Sequence, residues 1–191
     1  MKDLHLKNNG GFTFVEVTMS LAIFTVLMTS ALSLTQETMS FVLDNDADVT
    51  VQNAGNRAYG RLLGVLKKSG RVTLGGVTYP RVAGGGTRLE FRRLADLDGN
   101  GYSFDQATGA LEWDPFVYTL TTDSENRLDV YRSGDKVYPL GRFIQNLRFE
   151  TIQEDPALHL SEIRITYEAR KPTGKGFDMV HAVNASVHMR N

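Results

Sequence analysis

The sequence predicts an α+β fold: one long N-terminal α-helix, membrane-spanning in its first half, packed on an antiparallel β-sheet head. Three observations predict it. Residues 12–34 form an almost unbroken apolar run, and about 20 residues of helix cross a hydrocarbon core of roughly 30 Å. Past that run, Ala47, Val51, Ala54, Ala58, Leu62 and Val65 recur at spacings of four and three, the stripe of a helix that buries one face. Beyond Gly70 the chain changes to short alternating segments divided by turn residues, the pattern of strands.

The apolar run carries a single ionisable side chain, Glu16, and Val17–Leu34 carries none. Thr13, Thr18, Ser20, Thr25, Thr29, Ser30 and Ser33 dilute it, but in a helix such hydroxyls bond back to the preceding turn and are tolerated in lipid. Lys2 and Lys7 precede the run, which keeps that end cytoplasmic by the positive-inside rule. Residues 35–69 continue as the amphipathic half of the same helix. Lys67-Lys68-Ser69-Gly70 then supplies cations for the helix C-terminus and a glycine stop. A helix from Phe12 to Lys68 is about 85 Å long at 1.5 Å per residue. Gly55, Gly60 and Gly64 weaken it by about 1 kcal/mol each relative to alanine, and they permit close packing or a bend. The acidic cluster Asp44-Asn45-Asp46-Ala47-Asp48 reads as a solvated helix face.

The head, residues 70–191, offers candidate strands at Arg71–Leu74, Thr87–Leu94, Phe116–Thr121, Arg127–Arg132, Leu147–Ile152, Ser161–Ala169 and Val180–Met189. In the sixth, Ile163, Ile165 and Tyr167 share one face while Glu162, Arg164 and Thr166 share the other. Gly84-Gly85-Gly86, Ser133-Gly134-Asp135 and Pro172-Thr173-Gly174 separate the strands.

Composition excludes several functions. The 191 residues carry a formal net charge of −1, so no global basic field points to nucleic acid. Arg88, Arg92 and Arg93 cluster locally, but Glu90 lies between the first two on the same face, as on a solvated sheet. Cysteine is absent, which removes disulfides, thiolate metal sites and cysteine nucleophiles together. Of the histidines His5, His159, His181 and His188, the last two have opposite strand parity and make no metal pair. No nucleophile elbow, P-loop or zinc-hydrolase helix is present. An enzyme is not expected.

One local motif carries chemistry: Asp96-Leu97-Asp98-Gly99-Asn100-Gly101. Oxygens on alternate residues, with glycine sixth, match the opening of a calcium loop through Asp96, Asp98 and Asn100. The twelfth position is Ala107 instead of a bidentate glutamate, and Asp105 comes two residues early. Asp, Asn and Gly also make ordinary turns unaided.

Glu16 poses the main functional question. The N-terminal run reads as a secretory signal peptide cut after Thr29-Ser30-Ala31, as a plain membrane anchor, or as an anchor cut before the run. A charge near the head of the segment serves neither of the first two and costs up to ~2.5–3.5 kcal/mol at mid-bilayer. Gly10-Gly11-Phe12-Thr13-Phe14-Val15-Glu16 resembles the N-terminal signature of type IV pilins and type II secretion pseudopilins.

The resemblance implies that residues 1–11 are a leader removed by a prepilin peptidase. Gly11 is then the last leader residue, Phe12 the N-methylated mature terminus, and Glu16 the acid that meets the terminal amine of a neighbouring subunit. Ser33 stands where many major pilins have a kinking proline, and the first proline of the chain is Pro80, so the resemblance points to a minor subunit. The order of pieces in the β half, Leu89–Leu94, an acidic turn, Leu128–Arg132, Ile144–Phe149 and a final segment Val187-His188-Met189-Arg190-Asn191, is similar to minor pseudopilins of the J type and related minor pilins. The expected partners are other pilin-like subunits, the prepilin peptidase and the membrane, without nucleic acid. The expected location is a single pass of the inner membrane, with the head in the periplasm or outside the cell. The competing reading is a secreted binding module that begins at Leu32.

Overall fold

The computed structural model describes residues 12–155, 160–173 and 178–190. A single helix, α1, runs from Phe14 to Leu66. The chain forms two compact units, one up to Asn45 and one from Asp46 onward.

Among the described residues, the first unit is the N-terminal part of α1, and its apolar side chains are exposed: Phe14, Val17, Leu21 and Phe24 are all more than half accessible. Several of its hydroxyls bond back to the preceding turn. Thr18 donates to the carbonyls of Phe14 and Val15, Thr25 to that of Leu21, Thr29 to those of Thr25 and Val26, and Ser30 to that of Val26. These bonds leave little polarity for lipid to desolvate.

The second unit holds the core. Its strands are β1 (Val72–Leu74), β2 (Val77–Tyr79), β3 (Arg81–Ala83), β4 (Arg88–Phe91), β5 (Tyr118–Thr122), β6 (Leu128–Arg132), β7 (Asp135–Gly141), β8 (Ile144–Asp155), β9 (Leu160–Pro172) and β10 (Asp178–Arg190). They make three antiparallel sheets, ordered β1-β2, β3-β4-β5-β6-β7 and β10-β9-β8. Val51, Ala58, Leu62 and Leu66 of α1 pack in one cluster with Leu89, Leu120 and Val130 of the five-stranded sheet and Ile144, Ile163 and Ile165 of the three-stranded sheet. Burying each larger side chain contributes about 1.5–3 kcal/mol. The result is the predicted α+β arrangement, a pilin-like layout of one long N-terminal helix and antiparallel sheets.

Several expectations need correction. The buried face of α1 includes Gly55, whereas Ala54 is half-exposed. The helix ends at Leu66, so Lys67 and Lys68 follow its last turn. Ser69 closes it: its amide (3.0 Å) and its hydroxyl (2.6 Å) both donate to the Leu66 carbonyl. Strands β2, β3 and β7 were not expected, and β8 begins at Ile144, three residues before the candidate strand Leu147–Ile152 and where the piece Ile144–Phe149 starts.

The face of the five-stranded sheet opposite the core holds two buried carboxylates. Glu90 receives Arg81 at 2.6 Å and Arg88 at 3.3 Å, and Asp129 pairs with Lys136. Arg92 donates to the Asp114 carbonyl at 3.0 Å and covers the Tyr79 ring, while Arg93 covers Tyr118. The arginines that cluster in the sequence are thus each engaged within the head.

Candidate functional site

Thr13 and Glu16 build the start of α1. The first backbone N–H groups of a helix have no partner inside it, and a Thr-x-x-Glu pattern answers two of them reciprocally. The Glu16 amide donates to Thr13 Oγ1 at 3.2 Å. In return Glu16 Oε2 accepts the Thr13 amide at 2.8 Å and its hydroxyl at 2.9 Å. Among the described residues, Glu16 Oε1 accepts no hydrogen bond. The carboxylate therefore fixes the helix start with one oxygen and holds the other available. Sequence reasoning treated Glu16 as a charge alone, although the Thr13-x-x-Glu16 spacing that makes the cap was present in the quoted motif.

Phe12 precedes this cap and is 88% exposed. Gly11 and the rest of the expected leader lie outside the described residues. Among the described residues, α1 is the one helix long and apolar enough to cross a membrane by length and composition.

The acidic turn lies in the segment between β4 and β5. Asp96 Oδ1 accepts the amides of Gly99 (2.8 Å) and Asn100 (3.0 Å), and Asp96 Oδ2 accepts that of Gly101 at 2.9 Å. Asn100 donates its side-chain amide to Asp98 Oδ2 at 2.7 Å and accepts the Tyr102 amide at 2.7 Å. Gly99 and Gly101 take φ values of 75° and 87°, which glycine adopts without steric cost.

A third carboxylate joins them. Glu112 reaches the turn because Leu94 and Trp113 form an antiparallel bridge and the Ala95 amide bonds to the Glu112 carbonyl at 3.1 Å. Oxygens of Asp96, Asp98 and Glu112 lie within 4.8 Å of one another. An all-oxygen set at that separation fits a hard cation such as calcium, whose ligands sit 2.3–2.6 Å from it (roughly). Asp105, which comes two residues early for the twelfth position, serves its own turn. The amides of Ala107 and Thr108 and the Thr108 hydroxyl hold its carboxyl below the ordinary range.

Residues 6–32 match the family described as "Prokaryotic N-terminal methylation motif". No curated protein and no solved structure matches the chain. The matched stretch contains Gly11, Phe12, Thr13 and Glu16 together with the first part of α1. A prepilin-type motif ahead of a single apolar helix and an antiparallel β head supports a type IV pilin-like protein, anchored by one membrane pass.

Proposed function

We propose that this chain is a structural minor subunit of a type II secretion pseudopilus or a type IV pilus, with the J-type pseudopilin as the nearer likeness. Prepilin peptidase removes residues 1–11 after Gly11, and Phe12 becomes a methylated amine at the head of α1. The subunit stands in the inner membrane with its head on the exported side, and then joins a bundle of homologous helices. Its work is mechanical.

The observation that carries this reading is the divided carboxylate of Glu16. Cleavage creates an ammonium at the end of a helix whose surroundings are apolar. An opposite charge nearby is worth far more there than in water. One Glu16 oxygen caps the helix and the other is open to the amine of a neighbouring subunit. A second consequence of the same chemistry is selectivity, because a subunit that keeps its leader has no ammonium to offer.

The test uses Glu16→Gln. Glutamine at this position preserves the reciprocal cap and removes the charge. The variant is expected to reach the membrane at normal abundance and to lose co-purification with its partner subunits. Breaking a buried pair costs ~3–5 kcal/mol. Normal recovery of the assembled complex with Glu16→Gln contradicts the assembly role.

A further inference from the structure

From Val49 to Arg71 the chain carries the cations Arg57, Arg61, Lys67, Lys68 and Arg71 and no carboxylate. Cations suit the end of a helix, where the last carbonyls are unsatisfied. That accounts for Lys67 and Lys68 but not for Arg61, more than a turn earlier. Arg61, Gly64 and Lys68 are spaced three and four residues apart, which puts them on one side of α1 and of the turn that ends it. They line a pocket of about 330 Å³.

The head brings a further cation to it. Ser69 and Arg93 form an antiparallel bridge, and the Leu94 amide donates to the Lys68 carbonyl at 2.9 Å. Arg93 thereby lines the same pocket. Its guanidinium lies over the Tyr118 ring, 5.3 Å from the centroid, while its Nε is buried without a hydrogen-bond partner among the described residues. Arg61 Nη1 donates to the Leu140 carbonyl at 3.3 Å, which holds that guanidinium at the rim.

Among the described residues, no carboxylate lines the pocket, and Arg61, Lys68 and Arg93 make no ion pair. The Asp114 amide bonds to the Arg93 carbonyl, but its carboxylate is committed elsewhere. One oxygen accepts the Phe116 amide and the other the Tyr118 phenol. Gly64 keeps the pocket open. Glycine weakens a helix interior, and packing within the head does not require it here, since no atom lies within 4 Å of an added Cβ.

We propose that this pocket receives the carboxylates of an acidic peptide segment of another protein. Cations without counter-charges set the sign of the ligand, and complementary charge selects the partner. Val65, Tyr138 and Leu140 line the same pocket, and they suit the methylene stem that carries a glutamate carboxylate. A nucleic acid needs a longer track of cations with stacking aromatics, and a net charge of −1 gives no field to gather one. Such binding needs neither leader removal nor assembly, so it stands apart from the filament-subunit reading.

The test uses the full chain in detergent and a fluorescein-labelled peptide of alternating glutamate and alanine, followed by fluorescence anisotropy. The expected result is saturable binding that weakens as salt rises and is absent when glutamine replaces glutamate in the peptide. Arg61→Gln with Lys68→Gln should weaken it about tenfold. Lys67→Gln removes a neighbouring cation that does not line the pocket, and should change affinity by less than about twofold. Gly64→Leu should abolish binding with every cation retained.

Thermal melting of each variant checks the fold. Lys68→Gln alone, at an exposed side chain, carries the test where the double variant does not fold. Absence of saturable binding, full affinity in the double variant or in Gly64→Leu, or an equal loss with Lys67→Gln overturns the proposal. Stronger binding of single-stranded DNA or of inorganic phosphate also overturns it, by making this a phosphate site.

Discussion

Tyr167 donates its phenolic hydrogen to the Gly55 carbonyl oxygen at 2.7 Å, a buried bond that ties β9 to α1. Burial pushes the Tyr167 phenol well above its ordinary value, with the neighbouring Tyr59 adding to the effect. The approach depends on Gly55 having no side chain. A Cβ there would stand 2.7 Å from His181 Cδ2 and 3.5 Å from Ala169 Cβ. Tyr167→Phe removes the bond and keeps the ring. It should lower stability by about 0.5–1.5 kcal/mol, read as a shifted denaturant midpoint for the detergent-solubilised chain with an unchanged slope.

The same close approach makes glycine necessary at Gly141, in β7. A Cβ at that position would lie 2.6 Å from Ala58 Cβ. Both atoms are fixed to backbone, so neither swings away. Gly141→Ala should therefore destabilise by about 1–3 kcal/mol. Gly60 is the control, since nothing lies within 4 Å of its added Cβ. Gly60→Ala should stabilise the helix by up to about 1 kcal/mol. Denaturation of the two variants side by side checks both signs.

These glycines also show where the sequence was legible. The spacing of Ala47, Val51, Ala58, Leu62 and Val65 reported the buried face of α1 because each carries apolar surface. Gly55 carries none, so the pattern passed its place to Ala54. Strand β7 was hidden by Pro139, Asp135 and Lys136, which suit a strand poorly. As the edge of its sheet, β7 has one side where proline leaves no ladder bond unmade. The pair of short strands β2 and β3 is interrupted by Pro80 alone, too brief an alternation to separate. At the acidic turn, Asp96, Asp98 and Asn100 stand on alternate residues, a spacing visible in the sequence. Glu112 arrives through the Leu94–Trp113 bridge, and no local spacing announces it.

The turn between β5 and β6 should respond to acid. Partial burial opposes charge on Asp123, but donors outweigh it. The Arg127 amide and guanidinium and the Glu125 amide, at 2.8–2.9 Å, hold the carboxyl below its ordinary value. A depressed carboxyl value contributes stability above the unfolded-state value of about 3.9 and loses it as pH falls through the folded-state value. Asp123→Asn should be less stable than the unsubstituted chain at pH 7, and the gap should close below about pH 4. A gap independent of pH would assign the effect to shape alone.

Calcium gives the acidic turn its own test. If Asp96, Asp98 and Glu112 hold the ion, the full chain in detergent should melt higher in millimolar calcium than in chelator. At a hundredfold excess over the dissociation constant the gain is about 2.7 kcal/mol. Glu112→Gln should abolish the difference, while Asp105→Asn should leave it intact because Asp105 serves its own turn. Equal melting with and without the ion would leave the turn held by its own hydrogen bonds.

Processing is the step on which the assembly role of Glu16 depends. Leader removal creates the ammonium that Glu16 is proposed to meet, and it must occur between Gly11 and Phe12. Intact mass of the protein from membranes of its native host measures this directly. The account predicts a chain that begins at Phe12 and carries one added methyl group, with Met1 to Gly11 absent. Retention of Met1 in cells with active prepilin peptidase, or a chain beginning at Leu32, would contradict it.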